Sequence, residues 1–203
     1  MAYKLVQEGV CVFHITHTKN IPSILKQGIH SLNAMGGNNL VYQSIAHENI
    51  QARRKNIPIT CGAGGMLHDY VPLYFGARSP MLCAVRYKLD QREIVHVGVT
   101  WDVLKMPTTV FTDGNAATWG TEQFRGIDNL KSVDLEAAAK WYWAGDDEIR
   151  RKKSAEVLVH RQITASQIVA FFVINDQVKD QLNQMVKAQG FDKQVIVAPE
   201  FYY

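Results

Sequence analysis

The run Ile168–Ile174 (IVAFFVI) carries no polar side chain. Such a segment is tolerable in water only when both of its faces are covered, so it reads as a central strand with other layers against it. Shorter β-branched or aromatic runs read as further strands: Gly9–His17 (GVCVFHITH), Val71–Phe75, Met81–Tyr87, Ile94–Val99, Ala155–Ile163 and Val195–Ala198. Helical pattern is scarcer. Asn20 is expected to cap Ile21–Gln27, with Pro22 in the first turn and Gly28 as the left-handed stop. Spacing predicts helices over Ser44–Lys55, over Val133–Trp143 with Asp134 near its start, and a last one capped by Asp176 and stopped at Gly190, with a helical turn at Trp101–Met106. Residues 31–39, 57–70 and 112–129 read as loops; Gly36, Gly37, Asn38 and Asn39 argue against regular structure. Strands outnumber helices and do not alternate with them. That excludes a doubly wound parallel sheet and favours a mixed α+β domain. No Gly-x-Gly-x-x-Gly follows a strand, so a nucleotide would have to be bound in some other way.

A chain of 203 residues, 47% hydrophobic and 20% charged, suits one domain with a real core and excludes wholesale disorder. Lys and Arg exceed Asp and Glu by 22 − 19 = +3, compatible with a local phosphate-binding patch but not with a histone-like chain. No apolar run approaches the roughly 20 residues of a membrane span. The start, Met1 to Leu5, lacks the apolar core of a secretory signal, so the expectation is a cytoplasmic protein without a membrane partner. Cys11, Cys61 and Cys83 are widely spaced, so reduced thiols are expected rather than a disulfide framework.

Four stretches have residue types suited to chemistry. In Phe13-His14-Ile15-Thr16-His17, strand alternation points His14 and Thr16 to one face, either towards a polar ligand or as a satisfied core pair. A zinc site at His14 and His17 fails, because three positions along a strand put the two rings on opposite faces. Arg53-Arg54-Lys55 suits a solvated helix end, or supplies one arginine whose planar fork clamps a diphosphate. Tyr70 to Met81 carries aromatics into a Gly-Ala-Arg-Ser-Pro turn; Tyr74 with Arg78 is either a stacking surface or a core strand and its turn. Arg150 to Lys153 precede Glu156 in an apolar run. Glu is a poor strand former, so Glu156 either guards an edge strand or aims a carboxylate into a cleft.

In order along the chain, His14-Ile15-Thr16-His17 with the Asn20 helix, Ser44 to Arg54 with His47, Leu67 to Leu82, and Ala155 to Val159 resemble the DarT family of DNA ADP-ribosyltransferase toxins. The resemblance implies a single domain over residues 1–203 with an α+β ADP-ribosyltransferase fold, its mixed, split central β-sheet flanked by short helices. It implies NAD as co-substrate, no metal, and transfer of ADP-ribose to a base of single-stranded DNA, thymine ahead of guanine, so that replication is blocked. His14, Ile15, Thr16, Ser23 and Ser31 would hold NAD, within an NAD-binding element of about residues 40–59. Arg54 would be the catalytic arginine, with Arg53 adjacent as a one-residue alternative, and Glu156 the catalytic glutamate. A substrate loop of about residues 113–156, containing Trp119, Phe124, Trp141, Tyr142 and Trp143, would meet DNA; Arg53, Tyr74, Arg78 and Trp119 are the expected contacts. The implied partner is a macrodomain antitoxin of the DarG kind, the implied setting the bacterial cytoplasm, and the implied state a monomer. A non-catalytic module binding single-stranded nucleic acid, or a transferase acting on RNA or protein, are the alternatives.

Overall fold

The computed structural model describes residues 8–37, 40–46 and 48–203. Its strands are β1 (Cys11–His17), β2 (Ile29–His30), β3 (Tyr70–Tyr74), β4 (Ile94–Thr100), β5 (Val110–Thr112), β6 (Gln123–Phe124), β7 (Glu156–His160), β8 (Gln162–Ile163), β9 (Ile168–Val173) and β10 (Gln194–Val197). The α-helices are α1 (Ile21–Gln27), α2 (Leu32–Gly37), α3 (Glu48–Arg54), α4 (Pro80–Val85), α5 (Leu135–Ala139), α6 (Asp147–Lys152) and α7 (Asp176–Ala188).

Eight of the described strands form one sheet in the order β10-β9-β4-β1-β3-β7-β5-β6, and β2 pairs with β8 in a small second sheet. Every neighbouring pair is antiparallel except β9–β10, which is parallel. The sheet is therefore mixed, in the α+β class read from the sequence. The apolar run at Ile168 lies inside it as β9, where Phe171, Phe172 and Val173 are buried. Helix α7 packs over it through Val178, Leu182 and Val186, spaced four apart so that they share one face.

One opening in this sheet prepares the site. β1 and β4 pair over seven positions, from Cys11↔Thr100 to His17↔Ile94, whereas the ladder between β1 and β3 consists of Phe13↔Tyr74 alone. Pro72 of β3 has no N–H to donate, and its carbonyl accepts instead from His14 Nδ1 at 3.0 Å. The two strands part where Pro72 interrupts them, and a cleft opens between them.

Several expectations need correction. Met81–Tyr87 is not a strand: the Ser79 hydroxyl accepts from Leu82 N–H at 3.1 Å, Pro80 fills the first turn, and α4 buries Leu82 and Val85. The helix expected from Ser44 begins at Glu48, and His47 lies outside the described residues. Residues Leu32–Gly37 form α2 despite Gly36 and Gly37, aided by Ser31 Oγ accepting from Ala34 N–H; Asn38 and Asn39 lie outside the described residues, as do Met1–Leu5. The helix expected over Val133–Trp143 is cut to α5, capped by Asp134 and ended where Lys153 Nζ donates to the Ala138 and Lys140 carbonyls. Asn175, not Asp176, caps α7. The strand expected over Ala155–Ile163 breaks at Arg161 (φ 65°), which turns the chain out of the large sheet so that β8 can meet β2. β7 lies between β3 and β5, which removes the edge-guard explanation for Glu156.

Gly28 ends α1 as expected, at φ 78°, and a Cβ there would lie 2.1 Å from the Ile163 carbonyl oxygen. Gly28→Ala is expected to lower stability by about 2 kcal/mol or more, through left-handed strain and that clash, visible as a drop in Tm of at least about 4 °C in thermal unfolding. His96 is buried among Phe13, Phe201 and Tyr202. Burial holds its pKa down at about 4, with the hydrogen bond to the Ala77 carbonyl opposing in part. An unfolded chain takes up that proton near 6.5. Stability from this group is therefore complete above about pH 6.5 and lost as pH falls towards 4, by roughly 3 kcal/mol. Denaturant unfolding of His96→Phe across that window is expected to give a shallower acid slope than the parent protein.

Candidate active site

The parting of β1 from β3 leaves a cleft of about 580 Å³, within the range of small-molecule sites. His14, Ile15 and Thr16 form its floor on β1, and Tyr74 stands on the β3 side. Ser23 lines it from α1 and Ser31 from just after β2, and Arg54 closes the wall from α3. The sequence reading thus brings its NAD-binding candidates and one arginine into a single cleft.

The His14 Nδ1–H is committed to the Pro72 carbonyl, and burial pulls the ring's pKa down. The imidazole is therefore neutral at pH 7, with Nε2 left as an acceptor. Next to it, Thr16 Oγ1 accepts from Asn20 Nδ2 at 2.9 Å, and the Asn20 amide also exchanges two hydrogen bonds with the Gln43 backbone, at 2.9 and 2.7 Å. Asn20 was expected as a helix cap, but its side chain makes no cap bond. It ties the 40–46 segment to the floor of the cleft instead, a role with no signature in the local sequence.

Arg54 and Glu156 lie 102 residues apart and meet as a bidentate pair: Nη1 to Oε1 at 2.9 Å and Nη2 to Oε2 at 2.7 Å. Arg54 is the last residue of α3 and turns inward to line the cleft, whereas Arg53 faces solvent off the cleft. Burial opposes the Arg54 charge, but Glu156 more than offsets this by charge and hydrogen bonding, so the guanidinium pKa is raised. Glu156 is fully buried, directly behind the guanidinium. Its Oε1 also accepts from Ala116 N–H at 3.0 Å, and its own N–H donates to Thr112 Oγ1 at 3.1 Å. The Thr112 hydroxyl in turn donates to the Gly114 carbonyl, so the start of the 113–124 loop is fastened to the acid. Burial, and then the Glu156 charge, push the Tyr74 phenol pKa up, keeping it neutral.

The remaining expected contacts lie elsewhere. Arg78 is sandwiched between the Trp141 and Tyr203 rings, each centroid 4.1 Å away, and does not line the cleft. Trp119 is 99% exposed on the outer side of the 113–124 loop. Among the cations before Glu156, Arg151 pairs with Asp113 and Glu148, and Lys152 with Asp134. They belong to α6, whose Asp146 cap was legible but was absorbed into the cation run. No group of three or more potential metal ligands occurs among the described residues.

Removing one member of a buried ion pair strands the other, at a cost of about 3–5 kcal/mol, while removing both together costs far less. Arg54→Met and Glu156→Leu are each expected to destabilise strongly, and the double variant to recover most of the loss. Additive losses in denaturant unfolding would refute the coupling.

Comparison with known proteins places the fold in a family. The family model described as "ssDNA thymidine ADP-ribosyltransferase, DarT" matches residues 13–203. A DNA ADP-ribosyl transferase of Thermus sp. (strain 2.9) is 32% identical over 205 residues, covering 97% of each chain. The Thermus sp. 2.9 DarT structure in complex with ADP-ribosylated single-stranded DNA superposes with a TM-score of 0.88 at 31% identity, over 97% of both chains. Its complex with NAD+ gives 0.84 at 29% identity, over 97% of this chain and 98% of that one. A Thermosipho africanus protein described as a fusion of DNA ADP-ribosyl transferase and DNA ADP-ribosyl glycohydrolase is 29% identical over 195 residues, covering 95% of this chain and 49% of the fusion. With a match spanning nearly all of its length, and a cleft built by the same ordered segments, this chain belongs to the DarT family of DNA ADP-ribosyltransferases.

Proposed function

We propose that this chain cleaves NAD and transfers ADP-ribose to thymine in single-stranded DNA. The observation that carries this reading is Arg54 in the wall of a cleft floored by His14 and Thr16, paired through both oxygens with Glu156 buried directly behind it. The lining suits a dinucleotide: a neutral histidine acceptor and hydroxyls for ribose, a permanent cation for diphosphate, and the apolar Ile24, Ile29 and Met35 for a base. His14, Ile15, Thr16, Ser23 and Ser31 bind NAD in this reading, with residues 40–59 closing over it.

Cleaving the bond between ribose and nicotinamide develops positive charge on the sugar, as in glycoside cleavage. Glu156 stabilises that charge by accepting from a ribose hydroxyl, and it is positioned beforehand by the Ala116 N–H. Arg54 covers the carboxylate in the absence of ligand. When part of its fork turns to the diphosphate, Oε2 becomes free for the hydroxyl while Oε1 stays on Ala116. Arg54 remains charged throughout, so it acts on the acceptor by electrostatics rather than as a free base: it favours loss of the thymine N–H proton to water as the ring nitrogen attacks. A single strand presents that base edge without the cost of unpairing.

Toxicity through blocked replication follows from bulky adducts on template bases. The Thermosipho relative, described as a transferase fused to a glycohydrolase, supports a macrodomain partner of the DarG kind that removes the modification. In this reading the chain acts on DNA in the bacterial cytoplasm, as a monomer; no described helix is long and apolar enough to cross a membrane.

Mass spectrometry of oligonucleotides incubated with NAD tests this, with RNA and protein as alternative acceptors. Glu156→Gln is expected to reduce transfer about 100- to 1000-fold, the range for loss of a preorganised charge contact. Arg54→Lys is expected to reduce it far more than Arg53→Ala. Full transfer by Glu156→Gln, or unmodified DNA beside labelled RNA or protein, would overturn the assignment.

A further inference from the structure

The proposed transfer leaves one proton without a fixed destination. Thymine gives up its N–H proton as the ring nitrogen attacks, and a lone water is a poor base at neutral pH. Arg54 stays charged, the Tyr74 phenol stays protonated, and Glu156 is committed to the sugar. His14 and His30 also line the cleft, but His14 is bonded to the Pro72 carbonyl and His30 to the Gln27 carbonyl, and neither bonds to α3. Asp147 is a solvent-exposed carboxylate, a much weaker base than an imidazole.

His68 is placed differently. It sits in the short turn Leu67–Asp69 before β3, half-buried and lining the cleft. The turn is pinned on three sides: Asp69 Oδ1 accepts from Asn33 Nδ2 of α2 at 2.7 Å, Asp69 Oδ2 from the Met66 N–H at 2.7 Å, and the Asp69 carbonyl from the Arg161 N–H at 2.8 Å. His68 Nε2 lies 3.1 Å from Gln51 Oε1. An amide oxygen accepts, so Nε2 carries the hydrogen and Nδ1 the lone pair. Gln51 precedes Arg54 by three residues on α3, a spacing that sets their Cβ atoms about 5–6 Å apart on one face, and both line the cleft. The ring is therefore tethered beside the arginine that the acceptor has to approach. The charged groups facing it are Arg54 and Lys55 from the end of α3 and Asp69 on its own turn, with His160 and Arg161 on the other side of Asp69. Burial, then Arg54 and Lys55, lower the imidazole pKa against the opposing Asp69, so His68 is neutral at pH 7.

We infer that His68 is the proton acceptor of the transfer, its Nδ1 receiving the thymine N–H proton by way of water while Gln51 holds the ring. The inference rests on the proposed DNA acceptor and deepens it. The ring nitrogen bonds to the ribose carbon as the bond from that carbon to nicotinamide breaks, its electron pair staying on the nicotinamide nitrogen. The imidazolium then returns its proton to solvent.

The test uses the full chain, NAD, and single-stranded oligonucleotides with one thymidine or one fluoro analogue (a ring fluorine in place of the methyl), whose N–H is more acidic. His68→Gln keeps a donor for Gln51 without a basic atom. It is expected to lower kcat on thymidine about 100-fold, the lower range for loss of a general base, with KM for NAD little changed. Most of that loss should disappear on the fluoro analogue, which ionises unaided, and added imidazole should restore part of the rate on thymidine. His68→Asn should show the same preference for the analogue. In the parent, kcat levels off above about pH 6.5, where His68 is neutral, whereas that of His68→Gln keeps rising with pH as hydroxide replaces the base. An unchanged kcat, an equal loss on both bases, or parallel pH profiles would overturn the inference alone. A parent protein that labels no DNA overturns the functional reading with it.

Discussion

The bidentate contact between Arg54 and Glu156 is the constraint on which the rest of the site depends. Two opposite charges out of water are tolerable only with close geometry and further donors, and here the Ala116 N–H supplies one such donor. The consequence is topological. Helix α3, strand β7 and the loop from Thr112 to Ala116 come from distant parts of the sequence, and Glu156 joins all three through its carboxylate and its backbone N–H. A neutral pair of similar shape would pack as well and, in the proposed reaction, would leave the sugar's developing charge without a partner.

The pair acquires its setting from a flaw in the sheet. A continuous ladder between β1 and β3 would fill the space that the cleft occupies. Pro72 stops that ladder by lacking a donor, and the carbonyl it exposes fixes the His14 tautomer. One residue therefore both opens the site and orients its floor. Asn20 completes the arrangement by binding Thr16 and the Gln43 backbone together, so the segment above the cleft is held at one point while Val41 and Tyr42 remain exposed beside it.

Much of the fold was legible where periodicity and capping agree. The runs at Cys11, Ile94 and Ile168 are strands, and Gly28 ends α1, because each depends on local pattern alone. The apolar run after Pro80 misled, since Ser79 and Pro80 form a helix start and the apolar residues at Leu82 and Val85 fit helical as well as strand spacing. Among site residues, Glu156 was legible because a carboxylate inside an apolar strand is costly without a reason, and Arg54 because a planar fork suits both an acid and a phosphate. Which of two adjacent arginines turns inward depends on the helix's rotation against the sheet, which neighbouring residues do not encode. The tie made by Asn20 and the donation from Ala116 N–H are long-range and carry no side-chain signature, so no reading of local sequence reaches them.

Charge bookkeeping shows why composition said so little about the acceptor. Most cations around the site are consumed by the fold. Arg54 faces Glu156, Arg151 and Lys152 anchor α6 to its surroundings, and Arg78 fills a slot between two rings. Lys153 is buried with its ammonium on the end of α5; burial, and then Arg78, pull its pKa down to about 8. Each ion pair removes one charge of either sign, so the net charge of +3 is unchanged and says nothing about which cations face the cleft. Grip on a single strand comes from base faces as well as phosphates, since every nucleotide presents a face and only an unpaired strand exposes it. Net charge therefore does not choose among acceptors; the placement of individual cations and the chemistry of the cleft do.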